Sequence, residues 1–158
     1  VLGPAEMIET LGRAASAIDG GPGQPIQRAA LEVLEPVRAD QETNALRAGF
    51  SAKRNLMIER LSEMGVRFAH ESDATFYLWG CLDGLPEPLN DVETFFRSAL
   101  ERKVLTVPGR FFDVNPGKER PEPSPLANWM RFSFGPPMDN IVLGLDRLAK
   151  MVGEARNG

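Results

Sequence analysis

The sequence predicts an α+β fold, in which a small sheet is covered by helices and one long helix forms a bridge. Two observations favour this fold class. In five segments the apolar residues recur every three or four positions, which is typical of a helix with one buried face. Between these segments lie short aromatic runs, such as residues 75–79 and 128–134, whose composition and flanking glycine or proline residues indicate strands.

Two helices are expected in the first 36 residues. The first follows Pro4, because proline is favoured in the first turn of a helix, and it stops at the glycine-rich residues 20–23. The second begins at Pro25 and ends near Pro36. A proline inside a helix lacks the amide donor and clashes with the preceding turn, so the second helix should not continue through Pro36.

A third, long helix is predicted from about Ala39 to Met64, with Gly65 as its natural end. It would span roughly 35 to 40 Å at 1.5 Å per residue, which suits the spine of a domain or a bridge between two domains. One face is apolar, apart from Lys53, and is expected to face the core. The apolar positions are Leu46, Phe50, Leu56, Met57, Leu61 and Met64.

The pattern then changes to short strands. Residues 66–69 and 75–79 are expected to pair as a hairpin, with its turn at residues 70–73. Residues 104–107 predict another strand, which a Pro-Gly pair ends. Residues 115–125 are rich in proline and should form an irregular surface loop.

Two further helices are predicted in the second half of the chain. Asn90 and Glu93 resemble a capping box with Asn90 as the N-cap, followed by apolar residues at helical spacing. A closing amphipathic helix ends the fold. The apolar positions are Val92, Phe95, Phe96, Ala99 and Leu100 in the first of these helices, and Ile141, Val142, Leu145, Leu148, Ala149 and Val152 in the second.

The strand predicted over residues 128–134 carries the most informative side chain. Successive residues of a strand point to opposite faces of the sheet. Its apolar face can pack on helices, so Arg131 should face outward into a cleft. The residues on the face of Arg131 are Trp129 and Ser133, and those on the apolar face are Met130, Phe132 and Phe134.

Composition argues against several classes of protein. The chain of 158 residues is about the size of one domain, and 42% hydrophobic with 25% charged residues is typical of soluble globular chains. Disorder and membrane spans are therefore not expected. The net charge of -4, without clustered lysine or arginine, argues against nucleic acid as a partner.

The chain has one cysteine, Cys81, and one histidine, His70, which argues against disulfide frameworks, zinc clusters and most catalytic triads. We interpret Cys81 as a small buried hydrophobe and His70 as a solvated loop residue. A reducing, cytoplasmic location is expected. Residues 1–4 look like the end of an apolar strand, so the natural N-terminus is expected further upstream, although a processing cut would give the same start.

Five motifs follow one another in a fixed order, and as a set they are specific where each alone is weak. They are Val-Leu-Gly-Pro at 1–4, Gln-Arg-Ala-Ala at 27–30, Ala-Thr-Phe-Tyr-Leu-Trp at 74–79, Val-Pro-Gly-Arg-Phe-Phe at 107–112 and Trp-Met-Arg-Phe-Ser-Phe-Gly-Pro at 129–136. This order resembles the C-terminal portion of the class I/II aminotransferases, pyridoxal-phosphate-dependent enzymes of fold type I. The resemblance implies that residues 1–36 end the cofactor-binding large domain and that residues 37–158 form the small domain.

The resemblance implies a role for Arg131, which matches the family arginine that binds the substrate α-carboxylate. A guanidinium offers a carboxylate two parallel donors and stays charged, whereas a lysine cannot supply the same fork. Alternatively, Arg131 pairs with a neighbouring Asp or Glu and stabilises the sheet. Residues 108–112 match a turn that approaches the active site. Alternatively, they are only a turn that leads into a packed pair of aromatic residues. Residues 20–24 match a segment that reaches towards the partner subunit's cofactor site, or are only a helix connection.

The resemblance also implies pyridoxal 5′-phosphate as cofactor, amino acids and 2-oxo acids as substrates, and a homodimer. This chemistry needs a lysine that bonds to the cofactor, a carboxylate beside the pyridine nitrogen and donors for the phosphate. No lysine lies in the serine-rich context that the family uses, and the family lysine belongs just upstream of Val1. The chain alone is therefore expected to be inactive. Its lysines are Lys53, Lys103, Lys118 and Lys150.

Two other functions stay open. One is a stand-alone, non-catalytic domain that binds a carboxylate or another protein. The other is a different fold type I enzyme, such as a C–S lyase or a decarboxylase, because such enzymes share the scaffold. Trp129 and Phe111, which are expected beside the cleft, are too generic to identify a substrate.

Overall fold

A computed structural model describes residues 2–70, 74–115 and 118–157. The described chain is α+β, as predicted, with five α-helices, a small three-stranded sheet and a 3-10 turn at Gly109–Phe112. The elements in order are α1 (Ala5–Ile18), α2 (Gln24–Val33), α3 (Pro36–Met64), β1 (Tyr77–Cys81), α4 (Val92–Glu101), β2 (Val107–Pro108), the 3-10 turn (Gly109–Phe112), β3 (Trp129–Ser133) and α5 (Met138–Asn157). Among these residues no helix combines the length and apolar content that a bilayer crossing requires.

The chain divides into two compact units, Val1–Leu46 and Arg47–Gly158. In the first unit α1 and α2 are amphipathic, yet neither has a buried residue. Gly20 and Gly21 end the turn after α1 with φ of 63° and 84°, in the left-handed region that glycine adopts most easily. The predicted helix stop is thus confirmed, whereas the domain boundary predicted between residues 36 and 37 stays a prediction.

The second unit is organised by its sheet, in which β3 lies between β1 and β2 and pairs antiparallel with both. Arg131 lies at the centre, opposite Trp79 on one side and Val107 on the other. Because β3 has neighbours on both sides, its register is fixed from two directions.

One face of this sheet packs into the core. The alternation predicted for the last strand is confirmed: Met130 and Phe132 are buried, and Arg131 between them is only partly buried. The Phe95 ring of α4 meets the Phe132 ring edge-on at 6.1 Å. The buried residues that α3, α4 and α5 supply to this core are Met57, Leu61, Met64, Val92, Phe95, Ala99, Ile141, Leu145, Leu148, Met151 and Val152.

The long helix α3 has 29 residues, or roughly 43 Å at 1.5 Å per residue, and is therefore longer than predicted. It begins at Pro36, because proline is tolerated in the first turn, and α2 already ends at Val33. The core lies only along its second half. Leu46, which was expected on the buried face, is 56% exposed.

The predicted hairpin of residues 66–69 with residues 75–79 is wrong. Only one isolated bridge joins this segment to the sheet, between Arg67 and Cys81. Strand β1 starts at Tyr77, because Thr75 has a φ of 66° that no strand can accommodate, and its main partner is β3. Part of the expected turn, residues 71–73, lies outside the described residues.

The strand predicted at residues 104–107 is reduced to β2, which consists of Val107 and Pro108. The described part of the loop expected at residues 115–125 is irregular, and its residues 116 and 117 lie outside the described residues. Cys81 is buried with a free thiol, as expected for a small hydrophobe, and His70 is exposed.

The N-cap of α4 is Asp91, and the expectation of Asn90 was wrong by one residue. The Asp91 carboxylate accepts a hydrogen bond from the Thr94 backbone amide at 2.8 Å. Two adjacent Asx residues can both cap a helix, and the backbone decides between them: Asp91 is extended, with φ -84° and ψ 125°.

Replacing Asp91→Ala should therefore lower the free energy of unfolding by about 1 kcal/mol, because one amide at the start of α4 loses its acceptor. Asp91→Asn keeps an acceptor oxygen and should cost only a fraction of that. Urea denaturation of the two variants measures the difference; equal losses would show that the side chain does not cap the helix.

The same carboxyl gives a pH dependence. The pKa of Asp91 is lowered, chiefly by the hydrogen bond from the Thr94 backbone amide. Its contribution to stability is therefore present above the pKa of the unfolded state and is lost as the pH falls through the lower pKa of the folded state. In acid titrations of stability, Asp91→Asn should lack this component.

Candidate carboxylate-binding site

Arg131 projects from the middle of β3 on the face of the sheet that the core does not cover. Its neighbours along the strand on this face, Trp129 and Ser133, are likewise only partly buried. Across the sheet, Tyr77 lies opposite Ser133 and Trp79 lies opposite Arg131. The period of two along each strand therefore gathers aromatic side chains around one arginine.

The Arg131 guanidinium contacts two aromatic rings. Its central carbon is 4.1 Å from the centroid of the Tyr77 ring and 4.7 Å from that of the Phe112 ring. The Trp79 ring in turn meets the Phe112 ring edge-on, at 5.0 Å and 88°. Stacking on ring faces attracts a guanidinium electrostatically and leaves its N–H groups, which lie in its own plane, free to donate.

Within the part of the chain that the structure describes, Arg131 forms no ion pair with a carboxylate. Arg67 shows the contrast, since it donates to Asp83 at 3.1 Å and its charge is balanced. The alternative interpretation, in which Arg131 pairs with a neighbouring acid to stabilise the sheet, thus has no support among the described residues.

The Arg131 side chain lines a cavity of about 510 Å³. The walls are mainly aromatic, and Arg131 is the only permanently charged side chain among the described lining residues. A charge in such surroundings is less screened than at an open surface, so an anion in the cavity would be attracted more strongly. The described lining residues are Ala69, His70, Thr75, Tyr77, Trp79, Phe112, Trp129 and Arg131.

The 3-10 turn brings Phe112, not Phe111, to the arginine. Phe111, which was expected beside the cleft, is 65% exposed and stacks on Arg110 at 4.3 Å. Arg110 is paired with Glu93 of α4. Tyr77, Trp79 and Phe112 were not singled out from the sequence. The alternation of β1 could have identified the first two, but Phe112 depends on the turn geometry.

Two contacts hold this turn in place. Gly109 is buried so closely against the following loop that a Cβ there would clash with the backbone oxygens of Leu126 and Trp129. After the turn, the Asp113 carboxylate accepts a hydrogen bond from Arg120. This bond, followed by one from Ser124, lowers the pKa of Asp113.

None of the four lysines is among the described residues that line the cavity. Lys53 of α3 lies over the Phe50 ring at 5.1 Å, and its Nζ is 3.5 Å from the Gly135 carbonyl oxygen. Lys103 follows α4 and Lys150 lies within α5. The described residues also contain no group of three or more His, Cys, Asp and Glu that could hold a metal ion.

Comparison with known proteins gives a consistent picture. An aspartate aminotransferase of Thermotoga maritima is 31% identical over 77% of this chain and 26% of its own length. An LL-diaminopimelate aminotransferase of Desulforudis audaxviator is 27% identical over 96% of this chain and 34% of its own length. No family model matches. The chain thus spans about a quarter to a third of these relatives.

Solved structures agree. An aromatic aminotransferase from Pyrococcus horikoshii has a TM-score of 0.76 at 21% identity, over 97% of this chain and 38% of that protein. The chain is aminotransferase-like in both sequence and fold. An α-aminoadipate aminotransferase from Thermus thermophilus, solved with N-(5′-phosphopyridoxyl)-L-leucine, has a TM-score of 0.74 at 22% identity, over 99% of this chain and 38% of that protein.

The resemblance to class I/II aminotransferases of fold type I is thereby confirmed. The cavity of this aminotransferase-like chain does not by itself fit pyridoxal phosphate, because its described lining residues include neither a lysine nor a carboxylate. It does fit a carboxylate, for which Arg131 offers the donors.

Gly109→Ala should destabilise the fold by about 1–3 kcal/mol, because the added methyl group overpacks against fixed backbone oxygens. The matched control is Gly144→Ala in α5, where a Cβ would meet no atom within 4 Å. This control should stabilise the helix by about 0.5–1 kcal/mol. Denaturant unfolding measures both variants. An unchanged free energy of unfolding in Gly109→Ala would show that the turn is not packed tightly against these backbone oxygens.

Proposed function

We propose that this chain supplies the substrate-carboxylate-binding part of an aminotransferase, which transfers an amino group between an amino acid and a 2-oxo acid through pyridoxal phosphate. The observation that carries the proposal is Arg131, which contacts two rings at a cavity and has no acidic partner in the described chain. The aminotransferase relatives supply the context.

In this function Arg131 binds and orients the substrate. Two coplanar N–H groups donate to the two oxygens of one carboxylate, which fixes both the position and the rotation of that group. The partly buried aromatic surroundings exclude water from the pair and strengthen it. Amino acid and 2-oxo acid share the carboxylate, so the same arginine can hold both.

The bound cofactor would supply the electron sink for chemistry at the substrate α-carbon. The lysine, the carboxylate for the pyridine nitrogen and the phosphate donors are, in this proposal, contributed from outside this chain. A homodimer in the cytoplasm belongs to the same proposal and rests on the resemblance alone. Another fold type I reaction, C–S lysis or decarboxylation, would use Arg131 in the same way.

A second candidate is a non-catalytic domain that binds a carboxylate. It is favoured by the lining of the cavity, in which the described residues offer a carboxylate receptor and no proton-transferring lysine. In both candidates Arg131 binds a carboxylate. They differ in whether a cofactor then acts on the bound molecule.

The carboxylate site is tested with 3-phenylpropionate as probe and 3-phenylpropanamide as its uncharged match. The acid should bind saturably and the amide should not. Arg131→Ala should cost about 2–5 kcal/mol of binding free energy, enough to abolish a weak complex. Arg131→Lys should be intermediate, because it keeps the charge and loses the fork. Calorimetry measures this; equal binding of acid and amide would overturn the site.

The assignment of the chemistry is tested with pyridoxal phosphate followed by borohydride reduction and peptide mass spectrometry. No lysine of the folded chain should be labelled beyond the level found in the unfolded chain, because none lines the described cavity. Stoichiometric labelling of any one of the four lysines would show that the chain carries a cofactor lysine after all.

A further inference from the structure

We propose that Tyr77 and Phe112 are positioning residues, which hold the Arg131 guanidinium so that only its donor edge faces the cavity. This inference rests on the proposed carboxylate-binding function. The central carbon of the Arg131 guanidinium is 4.1 Å from the Tyr77 ring centroid and 4.7 Å from the Phe112 ring centroid.

An arginine side chain has several rotatable bonds, and ordering a free arginine side chain on binding costs conformational entropy. Here the guanidinium already contacts two aromatic rings before any ligand arrives. In this proposal the rings occupy its faces, so that an anion approaches in the plane of the guanidinium. A carboxylate has two oxygens in one plane and fits this approach, so the stacked arrangement favours bidentate binding.

The Tyr77 and Phe112 rings each contact a further aromatic ring. The Phe76 ring packs on Tyr77 at 4.2 Å and on Phe50 of α3 at 6.3 Å. On the other side the Trp79 ring meets Phe112 edge-on at 5.0 Å. A continuous row of aromatic contacts thus runs from α3 through Arg131 to β1, and such pairs add to stability beyond the area they bury.

The rings come from different parts of the sequence, which makes the arrangement a feature of the fold. Tyr77 is placed by its pairing opposite Ser133 in β3. Phe112 is placed by the 3-10 turn, which Gly109 seats against the loop before β3. Neither residue has to touch the ligand in order to act.

The test measures binding of 3-phenylpropionate to the full chain, together with the line width and chemical shift of the Arg131 Nε–Hε resonance. Tyr77→Leu and Phe112→Leu should each weaken binding about two- to tenfold. Each should also sharpen the Arg131 resonance and move it towards the position of a freely rotating arginine. The conservative Tyr77→Phe and Phe112→Tyr keep a ring face and should restore both properties.

Phe111→Leu is the matched control, because Phe111 is 65% exposed and stacks on Arg110 instead. It should change neither binding nor the Arg131 resonance. If the leucine variants fold, as shown by an unchanged pattern of core methyl resonances, and still bind like the parent chain, the inference is overturned. If a leucine variant does not fold, the ring-keeping variants decide: they must bind like the parent, and weakened binding by folded Tyr77→Phe and Phe112→Tyr contradicts the inference.

The two proposals fail differently. If the parent chain binds acid and amide alike, the carboxylate site itself is wrong. If the parent chain binds the acid through Arg131 and the leucine variants do so equally well, only the positioning role of Tyr77 and Phe112 is wrong.

Discussion

The pairing of β3 on both of its edges is the constraint on which the second unit depends. With β1 on one side and β2 on the other, the strand cannot slip without breaking two ladders. A slip of one residue would turn Arg131 into the core and bring Met130 and Phe132 to the surface. The cost of burying an unpaired guanidinium makes that register unfavourable. Backbone pairing and side-chain polarity thus specify the same arrangement.

The charge of Arg131 is stable on a half-buried surface because the neighbouring side chains are aromatic. Ring faces attract the cation without competing for its N–H donors, unlike a carboxylate, which would neutralise it. Elsewhere in the described chain Arg60, Arg67, Arg102 and Arg120 are each paired with an acidic side chain. Arg131 contacts two aromatic rings at a cavity instead, and these contacts are the basis of the proposed binding role.

The similarity to aminotransferases is informative because it concerns only part of each relative. Substrate recognition through one carboxylate can reside in such a part, whereas the cofactor chemistry needs groups that the described cavity does not offer.

The sequence by itself determined the elements that rest on local chemistry. Apolar periodicity located the helices, glycine pairs ended α1, and alternation in β3 assigned Arg131 to the open face. It did not determine the choices that depend on distant partners. The segment at residues 66–69 forms only one bridge, between Arg67 and Cys81, on the edge of β1 that β3 does not occupy. The cap of α4 is a local choice that residue type alone also did not determine: Asn90 and Asp91 are both suitable, and the extended backbone is at Asp91.

Only the tertiary structure decided what surrounds Arg131. Tyr77 and Phe112 are 35 residues apart in sequence and meet the same guanidinium because a sheet register and a 3-10 turn bring them together. Local propensities cannot specify such a meeting, since it depends on the packing of Gly109 against a loop that follows it in the chain. The residue proposed to bind the carboxylate is thus specified by the sequence, and its orientation is a property of the fold.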